Sequence, residues 1–312
     1  MATDQSLPAK IAVLMGGPGS ERDVSLATGR GVSKALRSLG AEVVDVDVRD
    51  ENFALPKDVD LAFITIHGTF GEDGQLQEIL EERGVPYTGD AVESSRAAFD
   101  KILSKEKFRE HNVVTPEWEV VEVGQQPTIS VPLVVKPARQ GSTVGVVIVK
   151  NASELDLAMT EAGNYDRKLL IEKFVPGREL TIGVLGDQAL PILEIIPKGG
   201  FYDFNNKYPF LNPQGGGGAE HVCPAKIDPT RTKQIQEQAL HAFRALGLVV
   251  YGRVDVLLSD SGEPFVLEVN TIPGMTEASL LPEAAAAAGI NYIDLCARII
   301  ALSRARIERS TR

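Results

Sequence analysis

The first part of the chain alternates short apolar runs with amphipathic stretches, which predicts parallel strands connected by helices. The run KIAVLMGG predicts a strand, and the helical pattern of VSLATGRGVSKALRSLG follows it and ends at Gly40. The runs AEVVDVDV and DLAFITIHG predict two further strands, and GQLQEILEERG predicts a helix that ends at Gly84. This βαβαβ order indicates an open α/β unit whose functional loops lie at the carboxyl ends of its parallel strands.

The pattern changes near Glu93. The segment SSRAAFDKILSKEKFREHN predicts a helix, and the strand VPLVVKP, a glycine-containing loop and the hairpin-like STVGVVIVK follow it. The remaining sequence contains one long loop, two helices and the strand patterns ELTIGVLG, QALPILEIIP, YGRVDVLLS and EPFVLEVN. We therefore predict an α/β chain, α+β overall, with three units that span 1–93, 94–177 and 178–312.

Composition and charge restrict the class of protein. A chain of 312 residues exceeds one ordinary core, and its 43% hydrophobic and 24% charged residues are typical of a folded globular protein. The net charge of -11 argues against a nucleic-acid partner, because phosphate binding needs clustered Lys and Arg. Two cysteines cannot form a disulfide framework, and we find neither a signal-like segment nor a bilayer-spanning apolar run. We expect a cytoplasmic protein that does not bind membranes.

Two apolar runs near the end of the chain carry polar residues at alternate positions. YGRVDVLLS and EPFVLEVN, joined by a turn, predict an antiparallel hairpin in which Arg253 and Asp255 share one face. Glu268 and Asn270 share one face of the partner strand for the same reason. Polar groups among Val and Leu are costly unless they bind something, and their oxygens are the ligands that Mg²⁺ prefers. The pattern predicts a site for two Mg²⁺ ions against a triphosphate; a solvent-facing strand edge is the alternative.

Two further segments supply groups that suit a nucleotide. PLVVKPARQGSTVGV places Lys136 at the end of a strand, directly before a loop whose glycines let backbone N–H groups approach phosphate oxygens. A solvated lysine beside an ordinary turn remains the alternative. In LLIEKFVPGREL, Glu172 to Val175 ends a strand and Glu179 follows a Pro-Gly turn. Such a segment suits backbone pairing with a flat base and a carboxylate that takes ribose hydroxyls.

Six motifs occur in a fixed order over nearly the whole chain: GGPGSERDVSLATG, HGTFGEDG, LVVKPARQGSTVGV, LLIEKFVPGRELT, YGRVDV and LEVNTIPGMTEASL. Together they resemble the D-alanine:D-alanine ligase family of the ATP-grasp superfamily. The resemblance implies an N-terminal open parallel α/β domain followed by a two-part ATP-grasp fold, with ATP between the central and C-terminal units.

The resemblance also assigns roles in nucleotide and metal binding. It implies that three lysines contact the phosphates: Lys101, Lys136 and Lys207. It implies that adenine pairs with the backbone of Lys173 and Val175 near Glu172, and that Glu179 holds the ribose. It implies two Mg²⁺ ions, for which Mn²⁺ can substitute, on the ligands Asp255, Glu268 and Asn270.

The remaining implied roles concern the amino-acid substrates. Glu21 would lie near the ammonium of the first D-alanine, linked to Ser142 and Tyr208, with His67 close by. Arg253 and the backbone of Gly274 would stabilise an oxyanion, and the second D-alanine would bind at Ser279 and Leu280. The segment 199–225 resembles the family's mobile loop, but it departs from the usual pattern in its four glycines, Gly215–Gly218, and in His221.

The implied activity is ATP-dependent ligation of two D-alanine molecules through an acyl phosphate, for peptidoglycan precursor synthesis, in an enzyme that forms a homodimer. No enzyme nucleophile is required, so the residues serve to position groups and stabilise charge. Two alternatives remain open. One is an ATP-grasp ligase for a different amine or hydroxy acid, and the other is a nucleotide-binding module without turnover.

Overall fold

The computed structural model describes residues 7–141, 143–197 and 218–310. Within these ranges the strands form three sheets that follow one another along the sequence. The order of strands and helices agrees with the mixed α/β class predicted from the hydrophobic pattern.

The first sheet is parallel, with the strand order β2-β1-β3. Its strands are β1 (Lys10–Gly16), β2 (Glu42–Val48) and β3 (Leu61–Ile64), and its helices are α1 (Arg22–Ser38) and α2 (Gln75–Glu82). The central strand β1 is buried from Ile11 onward, as expected of a parallel sheet covered on both faces. Because β3 ends at Ile64, the following His67 and Gly68 lie in a loop at the carboxyl edge of the sheet.

The helix predicted across the junction to the second unit is wrong as a single element. The structure has two helices there, α3 (Val92–Phe99) and α4 (Lys101–Glu110), separated by Asp100. Asp100 has an extended conformation with φ -77° and ψ 108°, and its carboxylate accepts the backbone N–H groups of Ile102 and Leu103. Asp100 therefore caps α4 and makes Lys101 the first residue of that helix.

The second sheet is antiparallel, with the order β4-β7-β5-β6. Its strands are β4 (Trp118–Glu122), β5 (Leu133–Pro137), β6 (Val147–Val149) and β7 (Lys168–Lys173). A short 3₁₀ turn (Ala152–Glu154) leads into α5 (Leu155–Gly163), whose Ala158, Met159 and Ala162 pack against this sheet. The run STVGVVIVK, predicted to be hairpin-like, contributes the single strand β6, which pairs with β5 across the glycine-containing loop.

The third sheet is antiparallel and has the order β11-β10-β8-β12-β13, with β9 paired to β8. Its strands are β8 (Gly177–Leu185), β9 (Gln188–Ala189), β10 (Leu193–Pro197), β11 (Ala219–Val222), β12 (Tyr251–Ser259) and β13 (Pro264–Asn270). Among the residues described after Gly177 there are three helices rather than the two predicted: α6 (Pro229–Ala245), α7 (Leu280–Ala287) and α8 (Tyr292–Ser310).

Two helices of the third unit bury apolar faces at helical spacing. In α6 that face consists of Ile235, Ala239, Ala242 and Phe243, which pack under β8, β12 and β13. The C-terminal helix α8 instead packs against α1, and its buried residues join those of β1 in one hydrophobic cluster. In the described ranges no single helix is long and apolar enough to cross a bilayer; α7 and α8 pass that test only as a pair bent by 102°.

Asp90 ties the end of the first unit to the start of β12. Its carboxylate accepts the backbone N–H groups of Val249 at 2.7 Å and Val250 at 3.1 Å, and the residue is 2% exposed. We expect Asp90→Ala to lower the free energy of unfolding by roughly 2 kcal/mol, because it leaves one buried and one partly buried donor without an acceptor. Urea unfolding measures this difference. The control is Asp187→Ala, which removes an exposed partner of Arg244 and should change stability little; equal effects would contradict the role of Asp90.

Candidate active site

The hairpin of β12 and β13 brings four polar side chains onto one face. In its register Arg253 lies opposite Asn270, and Asp255 lies opposite Glu268. Directly opposed residues of an antiparallel pair project to the same face, so the four side chains form a compact polar group. The structure thus confirms the prediction that Arg253 and Asp255 share one face of their strand and that Glu268 and Asn270 share one face of the partner strand.

Asp255 is fixed by donors from three strands. Arg253 donates through Nε and Nη2 to the two carboxylate oxygens, each at 2.9 Å, and Asn270 Nδ2 donates at 3.0 Å. Thr181, the residue of β8 that pairs with Asp255, donates its hydroxyl at 2.6 Å. No sequence pattern singles out Thr181, because only the register of β8 with β12 brings it beside the carboxylate.

Charged groups of the second unit approach this hairpin. Lys101 Nζ lies 3.4 Å from Glu268 Oε2 and donates at 2.6 Å to the carbonyl of Gln140. Lys136 forms an ion pair with Glu172 at the edge between β5 and β7. Although burial alone lowers the pKa of Lys136, the charges of Glu172, Glu268 and Glu179 together raise it. Residues of α4 and of the second sheet therefore face the β12–β13 hairpin of the third sheet, and we call the region between Lys101, Lys136 and this hairpin the cleft.

A buried ion triad lies beneath this cleft. Glu172 is 1% exposed and contacts Lys136 with one carboxylate oxygen, and Lys105 Nζ lies 2.5 Å from the other. Burial raises the pKa of Glu172, but the two ammonium groups outweigh it and hold that pKa below its usual value. Burial lowers the pKa of Lys105. Sequence reasoning missed Lys105, although its position four residues after Lys101 on α4 places both lysines on one helix face.

Glu21 lies where the first unit meets the glycine-containing loop of the second. It is 6% exposed, and its Oε2 packs against two glycines. A Cβ at Gly68 would lie 2.3 Å from that oxygen, and one at Gly141 would lie 3.1 Å away. Gly68 also has a φ of +69°, so a side chain there would be both strained and in collision. These close approaches hold the Glu21 carboxylate at the junction of the two units.

A second carboxylate lies near Glu21 and was not predicted. Glu72 belongs to the same HGTFGEDG motif as His67, and its carboxyl group accepts a hydrogen bond from the backbone N–H of Gly68 at 2.9 Å. Burial and the negative charge of Glu21 raise the pKa of Glu72 to about 8. A Glu72 carboxyl group with this pKa gives this corner of the site a proton that titrates in the physiological range.

The segment after β13 bends back towards α7 and the first unit. A Cβ at Gly274 would lie 2.9 Å from Ser279 Oγ, so the two residues are in close contact. Ser279 Oγ accepts the backbone N–H of Thr276 at 3.0 Å, and the next residue, Leu280, is buried against Leu193 and Ile195. His67 lies on the opposite side of this segment, where its Nδ1 is 2.8 Å from the carbonyl oxygen of Ile272.

The predicted metal ligands fit the chemistry of Mg²⁺. Asp255, Glu268 and Asn270 offer two carboxylates and one amide oxygen on a single face, which are hard donors suited to this ion. In 7–141, 143–197 and 218–310 no group of three or more His, Cys, Asp or Glu side chains is arranged to hold a metal. That result is compatible with this set, because only two of its three members belong to those residue types.

The remaining predicted residues divide into two groups. Lys173 ends β7 and Val175 lies in the turn before β8, and both are half-buried. The Lys173 backbone N–H donates to the carbonyl of Glu117, and its side chain donates to the carbonyl of Ser130. Outside the described residues lie Ser142, Lys207, Tyr208 and Gly215–Gly217.

Two family models match this sequence. The model described as D-ala D-ala ligase C-terminus matches residues 100–301, and the model described as D-ala D-ala ligase N-terminus matches residues 41–90. Curated relatives include a D-alanine–D-alanine ligase of Methylacidiphilum infernorum, 47% identical over 301 residues that cover 96% of this chain and 97% of that protein. Another, from Syntrophotalea carbinolica, is 46% identical over 297 residues and covers 94% and 95% of the two chains.

Solved structures of similar length share the fold. The crystal structure of D-alanine–D-alanine ligase from Bacillus anthracis complexed with ATP matches with a TM-score of 0.84 and 35% identity, over 97% of this chain and 100% of that chain. VanG D-Ala:D-Ser ligase from Enterococcus faecalis matches with a TM-score of 0.84 and 27% identity, over 95% and 99% of the two chains. The similarity thus extends over the complete cleft, since it includes both sheets that form it.

The raised pKa of Glu72 predicts a pH dependence of stability. The folded protein keeps this proton up to about pH 8, whereas the carboxyl group in the unfolded chain has its ordinary pKa of 4.5 and loses the proton near that pH. The stabilising contribution is therefore complete below the unfolded pKa and is lost as pH rises through the folded pKa. We expect the unfolding free energy of the wild type, relative to Glu72→Gln, to fall by up to about 1.4 kcal/mol per pH unit between these pKa values.

Denaturant unfolding at a series of pH values measures this difference. The variant Glu82→Gln, at an exposed position of α2, serves as a control because it makes the same Glu→Gln replacement at a side chain that the fold does not bury. A wild-type to Glu72→Gln difference that stays constant across the range would contradict the buried, protonated carboxyl group.

Proposed function

Because the chain belongs to the D-alanine–D-alanine ligase family, we propose that its cleft joins two D-alanine molecules with conversion of ATP to ADP and phosphate. The product, D-alanyl-D-alanine, is a precursor for peptidoglycan synthesis. The observation that carries the proposal is the polar face of β12 and β13 opposite Lys101 and Lys136. An anionic polyphosphate bound between them meets cationic side chains on one side and ligands for its metal ions on the other.

The reaction requires activation, because a carboxylate is a poor electrophile. Transfer of the γ-phosphoryl group of ATP to the carboxylate of the first D-alanine forms an acyl phosphate and releases ADP. The neutral amino group of the second D-alanine then attacks the acyl carbon, giving a tetrahedral oxyanion. Collapse of this oxyanion breaks the bond to the phosphate oxygen, and the amine loses its proton as the peptide bond forms. No enzyme nucleophile takes part, so the protein acts by positioning and electrostatic stabilisation.

The nucleotide roles follow the arrangement of the cleft. We assign Lys101, Lys136 and Lys207 to the phosphates, and the backbone of Lys173 and Val175, with Glu172, to adenine. Glu179 would hold the ribose hydroxyls, and its charge already acts on Lys136 from the third sheet. The ion triad supports this assignment, because Lys105 and Lys136 hold Glu172 in one position before any base arrives.

The metal would be held by Asp255, Glu268 and Asn270. Bound there, two Mg²⁺ ions, or Mn²⁺ in their place, supply positive charge that neutralises the triphosphate and orients it. Arg253 would face the oxyanion, and its paired hydrogen bonds to Asp255 fix the direction of the guanidinium plane. The metal site and the oxyanion site would thus share one carboxylate as a common support.

The two amino-acid subsites lie on either side of the segment after β13. Glu21, buried at the junction of the units, would take the ammonium of the first D-alanine, with His67 nearby and with Ser142 and Tyr208 linked to its carboxylate. The backbone N–H of Gly274 would complete the oxyanion site. The second D-alanine would bind at Ser279 and Leu280, with its carboxylate on the serine hydroxyl. A homodimer in the cytoplasm completes the proposal, which for these two properties follows from family membership.

The direct test is phosphate release from ATP and Mg²⁺ with D-alanine as the amino-acid substrate. We expect one phosphate for each dipeptide formed, and we expect L-alanine to give none. Absence of release with D-alanine would overturn the proposed function. Release that requires D-lactate as the second substrate would instead identify an ester-forming ligase, and nucleotide binding without release would identify a binding module.

Removal of a metal ligand should abolish most activity. We expect Glu268→Gln to lower kcat by about a hundredfold or more, because metal-assisted charge stabilisation contributes several kcal/mol to such reactions. Additional Mg²⁺ should restore little of that loss. The matched control is Glu263→Gln at an exposed position of the same hairpin. Normal turnover in Glu268→Gln would remove this residue from the ligand set.

A further inference from the structure

The His67 side chain connects the first unit with the segment that follows β13. It is 4% exposed, and its ring lies between α1 and this segment. Its Nδ1 is 2.8 Å from the carbonyl oxygen of Ile272, and its Nε2 is 2.9 Å from Thr28 Oγ1. Its backbone N–H donates to Ser25 Oγ at 3.0 Å. Both ring nitrogens therefore have partners inside the fold.

The chemistry of these partners determines where the ring carries its proton. A backbone carbonyl only accepts hydrogen bonds, so His67 must donate to Ile272 from Nδ1. Burial lowers the pKa of His67, which favours the neutral ring with a single proton. Nε2 then has a lone pair, and the hydroxyl of Thr28 donates to it. Two hydrogen bonds therefore run in series: Thr28 donates to His67 Nε2, and His67 Nδ1 donates to the carbonyl of Ile272.

The carbonyl of Ile272, at the end of this series of hydrogen bonds, belongs to the segment that leads from the metal ligands to Gly274. Ile272 lies midway between Asn270, at the end of β13, and Gly274, whose backbone N–H we assign to the oxyanion. The three residues Thr271, Ile272 and Pro273 are all buried. Because Ile272 is anchored from the first unit, the direction of the peptide groups that follow it depends on the His67 ring.

We propose that Thr28 is a positioning residue for the ligase reaction, which holds the His67 ring so that Nδ1 anchors Ile272 and the next turn presents the Gly274 N–H to the reacting carboxyl group. This inference rests on the proposed function and on the oxyanion role of Gly274. His67 acts on the substrate side through the backbone it holds. Thr28 acts on the reaction only through His67 and makes no contact with the substrate.

The first test compares two substitutions at Thr28. Thr28→Val keeps the shape of the side chain and removes the donor to Nε2, whereas Thr28→Ser keeps the hydroxyl and removes a methyl group. We expect Thr28→Val to lower kcat by about tenfold or more with the KM for ATP nearly unchanged. The reason is that the Gly274 N–H, which this substitution would misplace, acts in the transition state. Thr28→Ser should retain most of the wild-type kcat. A Thr28→Val enzyme with wild-type kcat, or a Thr28→Ser enzyme equally impaired, would overturn the proposal.

A double-mutant cycle with His67→Gln separates this role from simple packing. If Thr28 acts through the ring, Thr28→Val should change kcat by less than about twofold in the His67→Gln background. Independent, multiplicative losses would overturn the proposal. Thermal unfolding of each variant establishes that the proteins compared are folded.

A spectroscopic measurement tests the network without relying on activity. In protein with ¹⁵N-labelled histidine, the His67 signals, assigned by their loss in His67→Gln, should report a neutral ring protonated at Nδ1. A proton on Nε2 instead would overturn the proposal. If the wild type released no phosphate with D-alanine, the proposed function would fail, whereas the ring tautomer would still be decided by this spectrum.

Discussion

The antiparallel register of β12 with β13 is the constraint on which the site depends. It brings Arg253, Asp255, Glu268 and Asn270 to one face of the sheet. A shift of the pairing by one residue would place the two polar side chains of one strand on the opposite face from the two of its partner. A bulge follows Asp255: Val256 pairs with Val266, and Leu267 is the extra residue. Apolar side chains beyond the bulge therefore continue to face α6, while the polar ones before it face the cleft.

Charge in the cleft is compensated within the protein. Glu172 lies between Lys105 and Lys136, Lys101 approaches Glu268, and Asp255 is held by Arg253. Burying such groups is costly unless they are paired and hydrogen-bonded. The pairing holds the side chains in place before substrates bind, so less reorganisation is needed when a triphosphate enters.

The three units meet through backbone contacts around a few side chains. The Glu21 carboxylate packs against Gly68 of the first unit and Gly141 of the second. His67 of the first unit holds Ile272 of the third. These contacts connect the first sheet to the other two, and under the proposed function they fix the segment where the amino-acid substrates would react.

The sequence by itself determined the fold class and the family, and it predicted the groups for metal, nucleotide and substrate. Period-two alternation placed Asp255 and Glu268 on predictable faces, and six ordered motifs identified the family, which the comparisons confirmed. It did not locate the helix break at Asp100, because the helical pattern continues across that residue and the cap acts through its side chain. Only the tertiary structure brought Lys105 to Glu172, Thr181 to Asp255, and His67 to a carbonyl 205 positions away. The reason is physical: local periodicity records which face a residue occupies, whereas the partner across that face is chosen by the packing of elements distant in the chain.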